Sequence, residues 1–316
     1  MNSKVITRPE NILRGVMLII AAAATISIQD LVFKLFSGEL TLWQIFSLRG
    51  LIAIPILMVL LWLRGAHRGV LRIALGKWPL LRAMFITTTF LAFYAAIPFL
   101  SLSTVGAANY VAPIFVALLS AYALREPVGP LGWLGVVLGF VGVVLLLQPG
   151  RDAFSLWSLL PITGAAFYAL AHITTRLKCQ ETPLSAISLS QNIVMIIAGF
   201  IATAFLFWST PQGDLIQENP YIFGPWADVG KVEVLVLTVL AIFAVLISVL
   251  LAGAYQAAPP AVISTFEYSY LVFVVIWDIL FFGIAPTVPS VTGMALIAIA
   301  GILVLRRKND EVVEDC

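Results

Sequence analysis

The 316 residues are 61% hydrophobic and 11% charged, with mean hydropathy +1.04 and formal net charge +2. Soluble domains carry about 25% charged residues, so this composition excludes a water-soluble globular fold and points to a chain solvated by lipid. A helix needs about 20 mostly apolar residues to cross a hydrocarbon layer of about 30 Å, so ten crossings use roughly 200 residues and leave short loops.

Ten apolar blocks follow one another: Asn11–Leu35, Leu42–Leu63, Trp78–Phe99, Ser103–Leu124, Pro130–Leu147, Phe154–Leu177, Leu184–Trp208, Val232–Tyr255, Ala261–Phe282 and Val288–Leu305. Helices are predicted for all of them, because open strands would leave backbone groups unpaired in lipid. The first block follows Lys4, Arg8 and Arg14 and contains Ala21-Ala22-Ala23, which imitates a cleavable leader. Its apolar run continues toward Leu35, so it reads as a retained span. Loops are short except for Ser209–Gly230, which carries Asp214, Glu218, Trp226 and Asp228. That loop reads as a solvated connector with an interfacial tryptophan, a lid being the other reading. The tail Asn309–Cys316 reads as a disordered acidic end. Cys179 and Cys316 are isolated and read as free thiols, and neither a metal nor another cofactor is expected.

The basic residues set the orientation. With the N-terminus inside, Lys4, Arg8, Arg14, Arg64, Arg68, Arg72, Lys77, Arg82, Arg125, Arg176, Lys178, Arg306, Arg307 and Lys308 fall on or near the cytoplasmic face, while Arg151 and Lys231 fall in outer loops. Both termini are therefore expected in the cytoplasm. Shifting Ser103–Leu147 by 158 positions lays Tyr110 on Tyr268, Phe115 on Phe273, Val116 on Val274 and Gly135 on Gly293 without a gap, with Asn109 opposite Glu267. This internal repeat divides the chain at residues 1–149 and 150–316. Five helices per copy is an odd number, so the second copy must enter the membrane from the opposite side. The expected fold is all-α and membrane-embedded, ten helices in two inverted five-helix repeats, an arrangement secondary transporters use.

The pattern Ala107-Ala108-Asn109-Tyr110-Val111-Ala112-Pro113, then Arg125-Glu126-Pro127, then Gly132, Gly135, Gly139 and Gly142 before Leu145-Leu146-Leu147, resembles the EamA-type repeat of the drug/metabolite transporter superfamily. The resemblance implies a bacterial inner-membrane location and carriage of small metabolites by alternating access. The second copy departs from the pattern, having Ile284 where the first has Glu126, so no role of that glutamate is symmetric. Gly132, Gly135, Gly139 and Gly142, with Gly293 and Gly301 in the tenth block, form small faces for close helix packing or subunit contact.

Charged groups inside spans cost about 2.5–3.5 kcal/mol each on insertion scales, so each needs a partner, a watery cavity or a route to the interface. Asp30 and Arg49 lie at similar depth, roughly 10 Å from the outer ends of their helices at 1.5 Å per residue. They are expected to form an ion pair that either holds the bundle or clamps the two ends of a zwitterion, with Lys34 competing for Asp30. Glu267, among apolar and aromatic neighbours, is a candidate to take up and release a proton and so couple a gradient to transport; the alternative is a neutral, hydrogen-bonded glutamate. Pro113 frees the carbonyl of Asn109 and predicts a kink, as Pro55 does for Leu51. Leu271 replaces the proline in the second copy, so the bend is expected on one side only. Tyr94, Tyr110, Phe167, Tyr168, Phe266, Tyr268 and Tyr270 offer aromatic faces for a planar cargo, such as an aromatic amino acid or riboflavin, or else fill the core. His172 reads as an ordinary satisfied histidine, with Glu267 as the other partner considered.

The function expected is a secondary transporter of a small organic metabolite, with the bilayer as its surroundings, no nucleic-acid partner and a homodimer left open. A membrane-embedded enzyme is disfavoured: the two histidines, His67 and His172, form no HExxH, and no nucleophile–base cluster is visible. A non-transporting scaffold is the remaining alternative, and a channel lacks a continuous polar ring.

Overall fold

The computed structural model describes residues 11–36, 40–63, 65, 68–96, 99–100, 102–125, 128–148, 156–209, 214–283 and 286–314. Glu126, Pro127, Arg151, Ile284, His67 and Cys316, singled out above, lie outside the described residues, as does the side chain of Lys34. The helices are α1 (Ile12–Phe36), α2 (Leu42–Leu63), α3 (Val70–Ala74), α4 (Lys77–Ala96), α5 (Leu102–Asn109), α6 (Ala112–Leu119), α7 (Pro130–Leu147), α8 (Leu159–Lys178), α9 (Leu184–Ser209), α10 (Asp214–Glu218), α11 (Pro220–Phe223), α12 (Lys231–Ala257), α13 (Pro260–Glu267), α14 (Ser269–Phe282) and α15 (Val288–Glu314).

Among the described residues, eight helical segments are long and apolar enough to cross a membrane. The fourth and tenth blocks fall short of that length, the apolar parts there being Ala112–Leu124 and Val288–Leu303. In the fourth block the cause is a break, since α5 stops at Asn109 and α6 starts at Ala112. A turn of π-helix, Ser120–Leu124, then leads to Arg125, which ends it in the left-handed conformation at φ 56°. Pro55 gives no such break, as α2 runs on through it.

The bend is not one-sided. The second copy breaks between α13 and α14 at Tyr268, the position matching Tyr110, although Leu271 stands where the first copy has Pro113. Two hydroxyl groups bond back to helix carbonyls beside this break. Thr265 Oγ1 donates to the Ala261 carbonyl at 3.1 Å and Ser269 Oγ to the Phe266 carbonyl at 2.7 Å, competing with the helix ladder on both sides of the break. The correspondence extends to the limits of the pieces: shifting Leu102–Asn109 by 158 gives Pro260–Glu267, and Arg125 matches Gly283, itself left-handed at φ 64°.

The tail also departs from expectation, for α15 carries helical backbone through to Glu314. Propagating an existing helix adds one hydrogen bond per residue ordered, which is far easier than nucleating one, so a charged extension can follow the apolar segment.

The long helices pack in pairs: α7 on α15, α4 on α8, α1 on α12 and α2 on α9. Second-rank contacts join α4 to α9, α2 to α12, α6 and α5 to α8, and α14 and α13 to α1. The glycine strip of α7 works inside this packing. A Cβ on Gly142 would lie 2.7 Å from the Gly293 carbonyl oxygen and one on Gly293 2.5 Å from that of Gly142, so these two helices touch backbone to backbone. Gly139 lies under the ring of the fully buried Tyr268, which fills the space of a side chain there, and Gly301 lies under Phe266. Large apolar groups cover the outside instead: Trp62, Phe205, Phe207 and Trp208 are all more than 60% exposed, as suits lipid rather than water.

Candidate functional site

Four helices and one loop build a small chamber. Helix α1 supplies Gln29 and Asp30; α2 supplies Leu42, Ile45, Phe46 and Arg49 at helical spacing; α4 adds Tyr94, α11 Tyr221 and α12 Leu240. The cavity measures about 80 Å³. Its floor is aromatic. Phe46 meets Tyr94 edge-on at 5.8 Å between ring centres, and Tyr94 meets Tyr221 at 6.4 Å.

Asp30 and Arg49 both line this space but do not form the ion pair expected from their depths. Asp30 Oδ2 accepts a hydrogen bond from Tyr270 Oη at 2.6 Å, and the Arg49 guanidinium sits 5.8 Å over the Phe46 ring. The matching depths did locate them in one cavity; the nearer tyrosine and phenylalanine take the contacts. Tyr110 is 6.3 Å from Tyr270 and 6.0 Å from Tyr268, so the three tyrosines form a stack along the two breaks. Asn109 closes α5 at the first break, half-buried.

A second cluster surrounds Glu267. Tyr168 Oη donates to Glu267 Oε1 at 2.8 Å and Tyr255 Oη to the same atom at 2.6 Å. Between the two tyrosines lies the ring of His172, 3.9 Å from Tyr255 and 4.3 Å from Tyr168. Neither reading of His172 holds: it is fully buried, it does not bond Glu267, and both ring nitrogens lack a hydrogen-bond partner. Residues 168, 172 and 175 follow the helical repeat of α8, which turns this face inward. Buried polar atoms without partners are rare in native proteins.

Arg82 joins this side of the molecule unexpectedly. It was assigned to the cytoplasmic face, yet it is 2% exposed, donating from Nε to Thr175 Oγ1 at 3.0 Å and from Nη1 to Gln191 Oε1 at 3.3 Å. Arg176 is likewise turned inward, donating to the Gln256 carbonyl at 3.4 Å. Counting from the start of α4 at Lys77 would have given Arg82 away, since it lies more than a turn inside the helix. Tyr255 and Tyr221 were also missed. Tyr255 sits in the last turn of a span, where tyrosine is common for interfacial reasons. Tyr221 sits in the loop read as a plain connector.

That loop is ordered where described. Gln44 holds it, accepting from the Ala227 N–H at 3.0 Å and donating to the Ala227 carbonyl at 2.7 Å, while Trp43 Nε1 donates to the Ile222 carbonyl at 2.9 Å. The strap puts Tyr221 into the chamber wall. Cys179 is buried and free, and burial pushes its thiol up from the ordinary range. No group of three or more metal-ligating side chains occurs among the described residues.

Comparison with known proteins adds the following. Residues 13–148 match the model of the EamA-like transporter family. A riboflavin transporter of Vibrio cholerae is 28% identical over 191 residues, which is 60% of this chain and 57% of that protein's length. The pseudopaline exporter CntI of Pseudomonas aeruginosa is 24% identical over 302 residues, 93% of this chain and 97% of its own. A protein of known crystal structure shares the fold with a TM-score of 0.73 at 15% identity, covering 93% of this chain and 96% of its own. The family and these relatives are named as transporters or exporters.

Proposed function

We propose that this chain is a member of the EamA-like transporter family, whose model its residues 13–148 match, and that it is a secondary transporter carrying a small organic metabolite across the bacterial inner membrane. The observation that carries this reading is the chamber of Asp30, Arg49, Tyr94 and Tyr221, a polar and aromatic cavity between long apolar helices, with Asp30 on its exposed side. Ion-bearing chambers inside apolar bundles are costly and are retained for binding or passage.

The ten-helix, inverted arrangement is part of the proposal, and the packing supports it. Let α1, α2, α4, α5–α6 and α7 exchange with α8, α9, α12, α13–α14 and α15. The pairs α2–α9 and α7–α15 then map onto themselves, α4–α8 becomes α12–α1, α4–α9 becomes α12–α2, and α5–α8 becomes α13–α1. A two-fold relation between two bundles gives that set of contacts, and five crossings per bundle make the relation an inversion. The termini then both lie in the cytoplasm.

Ligand sites for drug-sized molecules usually measure about 300–1,000 Å³, so a chamber of about 80 Å³ must widen before whole cargo fits. Alternating access supplies the widening as one bundle rocks against the other. The two breaks, at Tyr110 and Tyr268, are the points where this bending is absorbed. Glu267 ends α13 at one of them and is the proposed coupling group, because a carboxylate held by two phenols in a dry setting can exchange a proton as those phenols move. Asp30 is tied to the same element through Tyr270, so the cargo chamber and the coupling group share one moving joint. Aromatic walls favour a planar cargo, riboflavin or an aromatic amino acid.

Counterflow of labelled metabolites in proteoliposomes tests the reading. Saturable exchange is expected, and a pH gradient is expected to drive accumulation in the native protein but not in Glu267→Gln, which should retain exchange. Accumulation by Glu267→Gln would remove the coupling role. Failure of every metabolite to exchange would remove carriage and leave a scaffold.

A further inference from the structure

We infer that the start of α4 binds the headgroup of an anionic phospholipid, whose phosphate meets Lys77, Lys178 and the indole N–H of Trp78. The inference goes beyond carriage and needs no cargo; the orientation proposed above enters only to name the cytoplasmic leaflet as the source of the lipid. Tryptophan at a membrane boundary is common. What sets Trp78 apart is its company. Lys77 Nζ lies 5.1 Å from the centre of its ring and Lys178 Nζ 5.2 Å, one lysine from the start of α4 in the first copy and the other from the end of α8 in the second. Two ammonium groups are drawn to one ring, and neither has an ion pair among the described residues. Glu181, the nearest carboxylate along the chain to Lys178, does not supply one.

The place of Lys77 adds to the excess of positive charge. The N-terminus of a helix carries partial positive charge and favours anions, yet α4 opens on Lys77 with no acidic residue in its first turn. The helix that takes its place in the second copy carries its own counter-charge: α12 also opens on a lysine, Lys231, and has Glu233 in its first turn. An anion at the start of α4 would supply from outside what Glu233 supplies from within. Trp78 adds a donor, because its ring is 37% exposed and its Nε1 has no acceptor among the described residues.

The neighbouring surface identifies a lipid as the carrier of that anion. Helix α3 turns Val70 and Ala74 inward, into the cluster built by α2, α9 and α12. It leaves Leu71, Ile73 and Leu75 more than 40% exposed, next to the exposed Arg68 and Arg72. Apolar side chains in this number suit the acyl boundary beneath a headgroup. Basic groups set beside them at a membrane face are the composition that recognises anionic lipids. A free phosphate would answer the lysines and leave the apolar strip unused.

The experiment uses the purified full-length protein and native mass spectrometry with equimolar phosphatidylglycerol and phosphatidylcholine of the same chain length. Preferential retention of phosphatidylglycerol is expected, and soluble glycerol 3-phosphate at the same concentration should not displace it. A basic residue beside an anionic surface contributes a factor of about five. Lys77→Gln combined with Lys178→Gln should therefore lower the preference at least about fivefold. The conservative pair Lys77→Arg with Lys178→Arg should keep it, as should Lys231→Gln at the start of α12.

Equal retention of the two lipids by the native protein overturns the inference without any variant. An unchanged preference in the glutamine pair also overturns it, because basic residues elsewhere would then hold the lipid. Displacement by glycerol 3-phosphate does the same, since the site would then serve a soluble phosphate. Lipid preference in a protein that exchanges no metabolite would remove carriage and leave this site standing; exchange by a protein without the preference would remove the site and leave carriage.

Discussion

His172 is the residue whose surroundings fit least well with a purely structural role. Leaving a buried donor or acceptor unsatisfied costs about 1–3 kcal/mol, and here both ring nitrogens are in that state between two tyrosines. Replacing the ring by one of similar shape without nitrogens removes the penalty. His172→Phe is therefore expected to raise the thermal midpoint of the purified protein. If the nitrogens find partners in another state of the transport cycle, the same variant should slow exchange. A lower midpoint with unchanged exchange would show that the imidazole only packs. Glu267, Asp30 and Arg49 were legible in the sequence because a charge within an apolar run stands out whatever the fold. His172 was visible but misread, since a sequence carries no information on which hydroxyl groups its neighbours have already committed elsewhere. Tyr255 and Tyr221 were not legible for a different reason, whereas the depth of Arg82 in α4 could have been counted. Tyrosine near a helix end or in a loop is ordinary at an interface, and only the packing of α8 and α12 turns Tyr255 inward and only the bonds from α2 bring in Tyr221.

At the level of the helix, the two copies solve the same local problem with different residues. Arg125 and Gly283 occupy matching left-handed positions at φ 56° and φ 64°. A side chain in that conformation costs about 1–2 kcal/mol, which glycine avoids. Arg125→Gly should accordingly stabilise the protein by about 1 kcal/mol through the backbone, and Gly283→Ala should destabilise it by a similar amount. The check is a thermal or denaturant midpoint for both variants; shifts of the same sign would contradict the argument. The α7–α15 contact gives a larger effect. Gly293→Leu would drive a side chain into the Gly142 carbonyl, 2.5 Å from where its Cβ must lie, and overpacking of this kind costs typically about 1–3 kcal/mol. Of the glycines in the two strips, Gly139, Gly142, Gly293 and Gly301 lie against neighbouring helices. The symmetric break was not anticipated, because a missing proline is visible in a sequence and no other single residue at the second break marks it.

For the molecule as a whole, the decisive property is parity. An internal repeat of five crossings fixes the relation of its two copies before any loop is considered, since an odd number returns the chain to the opposite face. The paired packing of α4 with α8 and of α12 with α1 agrees with copies that interlock through equivalent helices. The ordered loop between α9 and α12 has no counterpart in the first copy, where only the short α3 segment separates α2 from α4. The segment that brings Tyr221 to the chamber is therefore present in one copy only, held by the bonds from Trp43 and Gln44. Sidedness can be measured directly. Reporter fusions at Arg151 and at Lys178 flank a single crossing, α8, so they should give opposite signals, with Arg151 outside; fusions at the two termini should both report the cytoplasm. A shared location for the first pair, or opposite locations for the second, would mean an even number of crossings in one copy. The exchange symmetry in the packing would then have to arise from copies of the same orientation, and α1 could not take the place beside α12 that α8 takes beside α4.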